Sequence, residues 1–431
     1  MVTRLVSLLI FFSLSTIVAQ KSKLSINQDR LETRIFELAK FGLQENGETE
    51  RVAFSDADIE ARNWVILTLK AQGLQVSVDY AGNIIGHRKG QDATKKVISF
   101  GSHIDRVPNG GNYDGCVGSM ASLEVIETLN ENNLKTKHPL EIIIFSNEEG
   151  GVMGSRAMSG HLSTKAFKVV NTTGFSMGEG IMRLGGDTTQ IAKVARKKDD
   201  MAAFLELHIE QGGILDKENL NIGIVEGIVG LKWWDVVFTG FGNHAGTTPM
   251  NARQDALLAA AKFIVAVNEI TNSFNGSQVG TVGRIKAEPG APNVIPGKVI
   301  TSLEIRDLSS DVIEKVFQAI KAKGEVIAAA SNVNIEFLPL DTTAEPALTA
   351  VEIQKEIEIA ASKLGYTFKY MPSGAGHDAQ DIATIAPTGM IFVPSKDGIS
   401  HSPKEFTSAE DMANGANVLL HTILALDKKL D

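Results

Sequence analysis

Residues 97–105 read Val97-Ile-Ser-Phe-Gly-Ser-His103-Ile-Asp105. An apolar, β-branched run that ends in a histidine and an aspartate two residues apart has the pattern of a buried strand whose C-terminal end carries polar chemistry. Similar runs stand at 75–79, 140–146 and 204–209, and helical spacing covers 27–41, 56–74 and 120–132. The second helix opens on Ser55-Asp56 as a cap and ends at Gly73. Strands alternating with helices predict an α/β sheet covered by helices.

Outward from there the rhythm changes near Gly230. A strand over 231–239, a helix over 250–271, strands over 280–286 and 299–306, a helix over 311–330 and a strand over 333–338 give the order β-α-β-β-α-β. That is a split βαβ, ferredoxin-like layer with an antiparallel sheet. On the helix, Leu257, Ala260, Ile264, Val267 and Ile270 share a face. A helix over 351–364 and a strand over 390–393 return the chain to the first sheet. The expected architecture is two-domain α/β: a catalytic domain over 21–229 and 342–431, interrupted by an α+β insertion over 230–341.

With 431 residues, 43% of them hydrophobic, the chain can bury more than one core. A net charge of −9 without a long Lys/Arg run excludes a nucleic-acid footprint. Arg4 followed by an apolar run to about Val18, with Ala19 beyond, reads as a signal peptide over 1–20, so we expect export to a periplasm or outside the cell, with no stable membrane insertion after cleavage. The run is short of the ~20 residues that span a bilayer. The one cysteine, Cys116, cannot pair within the chain and reads as a small buried hydrophobe.

Ligand-type side chains gather at the predicted strand ends, where open α/β sheets keep their sites. After His103 and Asp105 comes Asp114 in the turn Asn109-Gly-Gly-Asn-Tyr-Asp-Gly115; a second strand runs into Glu148-Glu149; a third reaches His208-Ile-Glu210-Gln211; His401 follows near the C-terminus. A lone strand-end histidine is usually a hydrogen-bonded core residue, and an adjacent Glu pair is usually solvated. Recurrence at several strand ends and turns of one domain favours a site. Imidazole and carboxylate without thiolate suit Zn²⁺ or Mn²⁺, with Co²⁺ or Ni²⁺ also accepted. Three histidines and two carboxylates can hold two ions if one carboxylate bridges. Glu148 and Glu149 diverge at a strand end, so one should bind metal and the other should be free to take a proton.

The stretches GSHIDRVPNGGNYDG, FSNEEGG, LELHIEQG, GNHAGTTPM, PGAPNVIPG, GAGHDAQD and SHSPKEF span residues 101–407. They resemble the M20 family of metallopeptidases and amidohydrolases, in the branch of allantoate amidohydrolases, N-carbamoyl-L-amino acid hydrolases and β-ureidopropionases. The resemblance implies two divalent ions per subunit, with His103 and His208 each on one ion, Asp114 bridging, and Glu149 and His401 completing the set. Glu148 becomes the general base acting on a metal-activated water, and Asp105 the carboxylate that orients His103. The insertion becomes a lid that also forms a homodimer. His244 would stabilise the oxyanion, from its own chain or from the partner subunit. Asn293 and Arg306 would hold the substrate, and Gln211 with the loop Gly374, Ala375, Gly376, His377 and Asp378 would complete its pocket.

The implied reaction is hydrolysis of the C–N bond of a ureido or N-carbamoyl group in a small carboxylate substrate. Allantoate, N-carbamoyl-α-amino acids and N-carbamoyl-β-alanine all remain open. A dipeptidase or aminoacylase using the same metals is the alternative, and a non-catalytic binding protein a more distant one. Three features depart from the family pattern. Arg106 stands where Thr or Ser is expected, Gly-Gly-Val-Met-Gly-Ser-Arg156 replaces a Gly-x-Arg-Phe run, and a signal peptide is unusual in this branch.

Overall fold

The computed structural model describes residues 24–430 apart from 46, 48 and 341–343; the expected leader lies outside them. Helices α1 (Gln28–Ala39) and α2 (Asp56–Ala71) start where their caps predict. The Asn27 side chain accepts from the Arg30 N–H and Ser55 from that of Asp58, each worth about 1 kcal/mol. Then come β1 (Gln75–Val78), β2 (Ile84–Arg88), β3 (Val97–His103), α3 (Cys116–Glu131), β4 (Leu140–Phe145), α4 (Met153–Ser159), α5 (Met177–Arg183), β5 (Met201–Ile209), α6 (Ile214–Glu218) and β6 (Ile222–Ile228).

A second group follows: β7 (Gly230–Thr239), β8 (Asn243–His244), α7 (Ala256–Ser273), β9 (Val279–Thr281), β10 (Ile285–Glu288), β11 (Val294–Ile295), β12 (Lys298–Asp307), α8 (Ser310–Ala330) and β13 (Asn334–Pro339). The chain closes with β14 (Ala347–Leu348), α9 (Val351–Leu364), β15 (Phe368–Ser373), α10 (Asp378–Ile382), β16 (Thr388–Val393) and α11 (Ala409–Lys429).

Nine strands form one mixed sheet in the order β1-β2-β4-β3-β5-β16-β6-β14, with β15 also on β6. Its centre is parallel: Phe100 of β3 lies opposite Ile142 of β4 and Leu205 of β5, and Met390 of β16 opposite Glu206. Every residue of β4 is buried, as befits a strand covered on both faces. Because β3, β4, β5 and β16 run the same way, their C-terminal ends share one edge, and the ligand-type residues follow from it.

The second sheet, β10-β12-β7-β13 with β9 on β12, is antiparallel throughout. One face packs on α7 and α8 through Val236, Phe238, Phe263 and Ile320, a core separate from that of the larger sheet. Two expectations need correction. The strand expected over 280–286 is split, because the Ser302 hydroxyl accepts the N–H groups of Gly283 and Arg284 and displaces the ladder between β9 and β10. The helix expected from residue 250 begins at Ala256, where the Asp255 side chain accepts from Leu257 and Leu258 N–H. It buries Ala256, Ala260, Phe263 and Val267 and leaves Leu257 exposed.

The chain crosses between the sheets twice. Leu231 and Ala344 exchange two backbone hydrogen bonds, of 2.9 and 3.2 Å, and so tie the crossings together. Among the described residues no helix is long and apolar enough to cross a membrane.

Candidate metal centre

At the shared edge, β3 ends at His103 and β5 carries His208 beside it, with ring centroids 5.8 Å apart. Asp114 comes from the turn before α3. Its Oδ1 lies 3.6 Å from His103 Nε2 and 3.2 Å from His208 Nε2, while its Oδ2 lies 3.3 Å from His401 Nε2. Glu149 Oε2 is 3.5 Å from the same His401 nitrogen. Two trios therefore share Asp114, one oxygen each: His103–Asp114–His208 and Asp114–Glu149–His401. The implied set put His103 and His208 each on one ion; the structure groups both in the same trio. They stand on adjacent strands and face the same oxygen.

The imidazoles are set by their other nitrogens. His103 Nδ1 donates to the Asp105 backbone carbonyl at 3.1 Å and His208 Nδ1 to that of Ile209 at 2.9 Å, which turns both Nε2 lone pairs inward. Asp105 was expected to orient His103 through its carboxylate, but its main chain does so; the carboxylate stands 3.8 Å off. Its oxygens accept the N–H groups of Glu148 and Glu149 instead, at 3.2 Å each. The two glutamates diverge, Glu149 to His401 and Glu148 to 3.6 Å from His103 Nε2, outside both trios.

The donor set fits divalent cations on geometry alone. His103 Nε2 is buried without a hydrogen-bond partner, an expensive state for a polar atom that a cation relieves. Gly115, at φ 63°, permits the approach, since a Cβ there would lie 2.3 Å from that nitrogen. Burial opposes charge on Asp114, yet the imidazoles of His103, His208 and His401 facing it hold its carboxyl well below the usual range. Burial pushes Glu148 well above its ordinary value against the pull of His103, and pushes Glu149 up to about 7. The hydrogen bond with Asp114 raises His401 to about 9.

A cavity of about 350 Å³ opens over the centre, lined among others by Gln211, Arg306, Ala375, Gly376 and His377. Gln211 Nε2 donates to Asp114 Oδ2 at 2.7 Å. Arg306 donates through Nε to Glu304 and through Nη1 to the Gly374 carbonyl, both at 2.6 Å. Asp378 turns into the interior and is fully buried. His244 and Asn293 stand together on the β8–β11 ribbon, exposed and off the cavity lining. The single chain does not bring them to the site.

Sequence reasoning missed Glu206, Arg156, Gln380 and Glu405. Glu206 forms a third cluster with His208 and His377, but its oxygens are engaged by Ser102 Oγ and the Ala379 N–H. Period-2 alternation on β5 could have found it, two residues from His208. Arg156, at the end of the run that departs from the family pattern, and Gln380, which carries no local signal, line the cavity. Of the departures, Arg106 is 1% exposed and none of its three side-chain nitrogens has a hydrogen-bond partner. Cys116 is buried as expected, with Arg51 Nη2 at 3.2 Å from its sulfur.

Such a sheet, with histidines and carboxylates converging at parallel strand ends beneath a cleft, defines a metal-dependent hydrolase with a mixed α/β fold. Residues 99–425 match the model of peptidase family M20/M25/M40, and the chain belongs to that family. It is 41% identical over 406 residues to an N-carbamoyl-L-amino acid amidohydrolase of Geobacillus stearothermophilus, covering 93% of this chain and 99% of the relative. It is 33% identical over 421 residues to the allantoate amidohydrolase of Bacillus subtilis, covering 94% and 99%. A crystal structure of a hydantoinase/carbamoylase family amidase from Burkholderia multivorans superposes with a TM-score of 0.88 at 34% identity, covering 95% and 100%.

Proposed function

We propose that this enzyme hydrolyses the C–N bond of a ureido or N-carbamoyl group in a small carboxylate-bearing substrate, an N-carbamoyl-L-amino acid or allantoate, using two divalent ions per subunit. The observation that carries the reading is the Asp114 carboxylate, which offers one oxygen to each of two histidine-containing trios while Glu148 stands beside both and belongs to neither. His103, Asp114 and His208 would hold one ion, and Asp114, Glu149 and His401 the other, Zn²⁺ or Mn²⁺ by donor type, with Co²⁺ or Ni²⁺ accepted. Bound there, the ions supply Lewis acidity and lower the pKa of water.

The chain's own residues do the rest. Glu148 is the base: buried, with its carboxyl raised, it takes the proton of the attacking water and returns it to the leaving nitrogen. Arg306, with Nε and Nη1 already tied, keeps Nη2 for the substrate carboxylate. His244 Nδ1 accepts the N–H groups of Gly246 and Thr247, so the neutral ring carries its proton on Nε2 and can donate to an oxyanion. It reaches the cavity by closure of the second sheet or from the partner subunit, together with Asn293. We take residues 230–341 as that lid and as the homodimer contact, supported by Leu257, Leu258 and Val265 exposed on α7. We also propose export directed by residues 1–20.

The test offers metal-replete protein allantoate, N-carbamoyl-α-amino acids, N-carbamoyl-β-alanine and dipeptides, with ammonia and new amine quantified. Ammonia released from a ureido substrate is the expected result. Amine without ammonia, from dipeptides alone, would replace this reading with a dipeptidase or aminoacylase.

A further inference from the structure

Glu405 lies in SHSPKEF, is 4% exposed and belongs to neither trio. Its Oε1 accepts the backbone N–H groups of Tyr113 and Asp114 at 2.9 and 3.0 Å. Its Oε2 lies 2.8 Å from Ser400 Oγ, which is itself 3.0 Å from Asp114 Oδ2. The carboxylate thus spans the turn that carries Asp114 and the loop that carries His401, nearly 300 residues apart in sequence. The turn is shaped to admit it. A Cβ on Gly111 would sit 2.2 Å from Glu405 Oε1 and 2.3 Å from its Cβ, so a larger residue there would expel the side chain. The Tyr113 and Phe406 rings, 5.7 Å apart and edge to face, close the same seam.

These loops have little else to fix them against each other. His401 sits at φ 53° on an irregular segment, and Gln211 and Ser400 each contact Asp114 through a single side-chain hydrogen bond. One side-chain oxygen that accepts two successive backbone N–H groups fixes the turn at two points. We propose that Glu405 is a positioning residue of the metal centre: by bridging the two loops it sets the 3.3 Å approach of His401 Nε2 to Asp114 Oδ2 and so builds the second trio. This inference rests on the reading of the trios as metal sites.

The experiment measures metal stoichiometry and affinity by calorimetry and elemental analysis on wild type, Glu405→Ala, Glu405→Gln and Ser400→Ala, titrated with Zn²⁺ or Mn²⁺, with far-UV spectra as the fold control. Wild type is expected to take two ions. Glu405→Ala should weaken the second ion by about 10–100-fold, the effect typical of residues that orient ligands. Glu405→Gln should stay within about threefold, because its amide oxygen can accept both N–H groups while its nitrogen donates to Ser400, whose proton then goes to Asp114. Ser400→Ala, which leaves the backbone anchor whole, should weaken the second ion by less than Glu405→Ala. Wild-type affinity in Glu405→Ala overturns the proposal. So does a Glu405→Gln as weak as Glu405→Ala, since charge rather than hydrogen-bond geometry would then be at work. If Glu405→Ala does not fold, the Gln and Ser400 variants decide: an unchanged second ion in Ser400→Ala, or a weak one in Glu405→Gln, overturns it. A wild type that takes up no ion overturns the metal centre itself, and this inference with it.

Discussion

Asp105 holds the backbone N–H of Glu148 on one carboxylate oxygen at 3.2 Å, and its other oxygen takes the next N–H along the chain. An aspartate placed two residues beyond His103 therefore shapes the turn from which Glu148 and Glu149 diverge on the neighbouring strand. The parallel pairing of β3 with β4 brings the two ends together.

Glu148→Gln keeps that turn and its length but cannot accept a proton. Turnover should fall by about 10²–10⁴-fold with both metals retained, read from steady-state rates beside elemental analysis. A variant keeping more than about a tenth of the wild-type rate would remove Glu148 from the role of base.

Metal uptake should compete with protons. His401, raised to about 9 by its hydrogen bond with Asp114, holds its proton at pH 7, and Glu149, raised to about 7 by burial, is about half protonated. Both must lose protons to bind an ion, so affinity should climb from pH 6 and level off above about 9. Titration at pH 7 should release at least about one proton, because His103 and His208 are raised as well. Calorimetry in buffers of different ionisation enthalpy measures the number, and no release would contradict the assignment of these two ligands.

Arg106 is buried without a hydrogen-bond partner, and burial first, then the neighbouring Arg51, lowers it to about 10. A buried charge so poorly matched costs stability. Arg106→Met, of similar length and apolar, should unfold at the same temperature or higher under identical heating. A fall of more than about 5 °C would mean that the guanidinium is satisfied in the folded protein.

The position of His244 can be settled by mixing two inactive variants, Glu148→Gln and His244→Ala, under conditions that exchange subunits. If His244 serves the partner's cavity, random hybrids restore about a quarter of wild-type activity, since half the dimers are mixed and each has one intact site. If it serves its own chain, the mixture stays inactive.

Much of this was legible in the sequence because strand ends and glycine turns leave local marks. The run into His103, the pair Glu148-Glu149 and the β-α-β-β-α-β order are patterns of a few residues with a physical period. What was missed depends on partners far along the chain. β2 is a short strand with an interior glycine, Gly86, and β6 holds two, Gly223 and Gly227, so both reveal themselves by pairing. The long helix α11 buries nearly every face against α3 and α9, so it lacks a single apolar stripe. The division of Asp114 between two trios needed the register of β3 against β5, and Glu405 acts on residues almost 300 positions away. His244 was singled out by its glycine-flanked turn, yet no local pattern says which cavity that turn serves.

The strand β16 has a consequence for how the protein is made. It lies between β5 and β6, parallel to one and antiparallel to the other, although it follows every other strand of that sheet in chain order. Until it arrives, the edge of β5 beneath His208 has no neighbour on that side, and His401 emerges only just behind it. A nascent chain therefore cannot finish its central sheet before β16 has been synthesised. Closing the sheet and bringing His401 to Asp114 are nearly the same event.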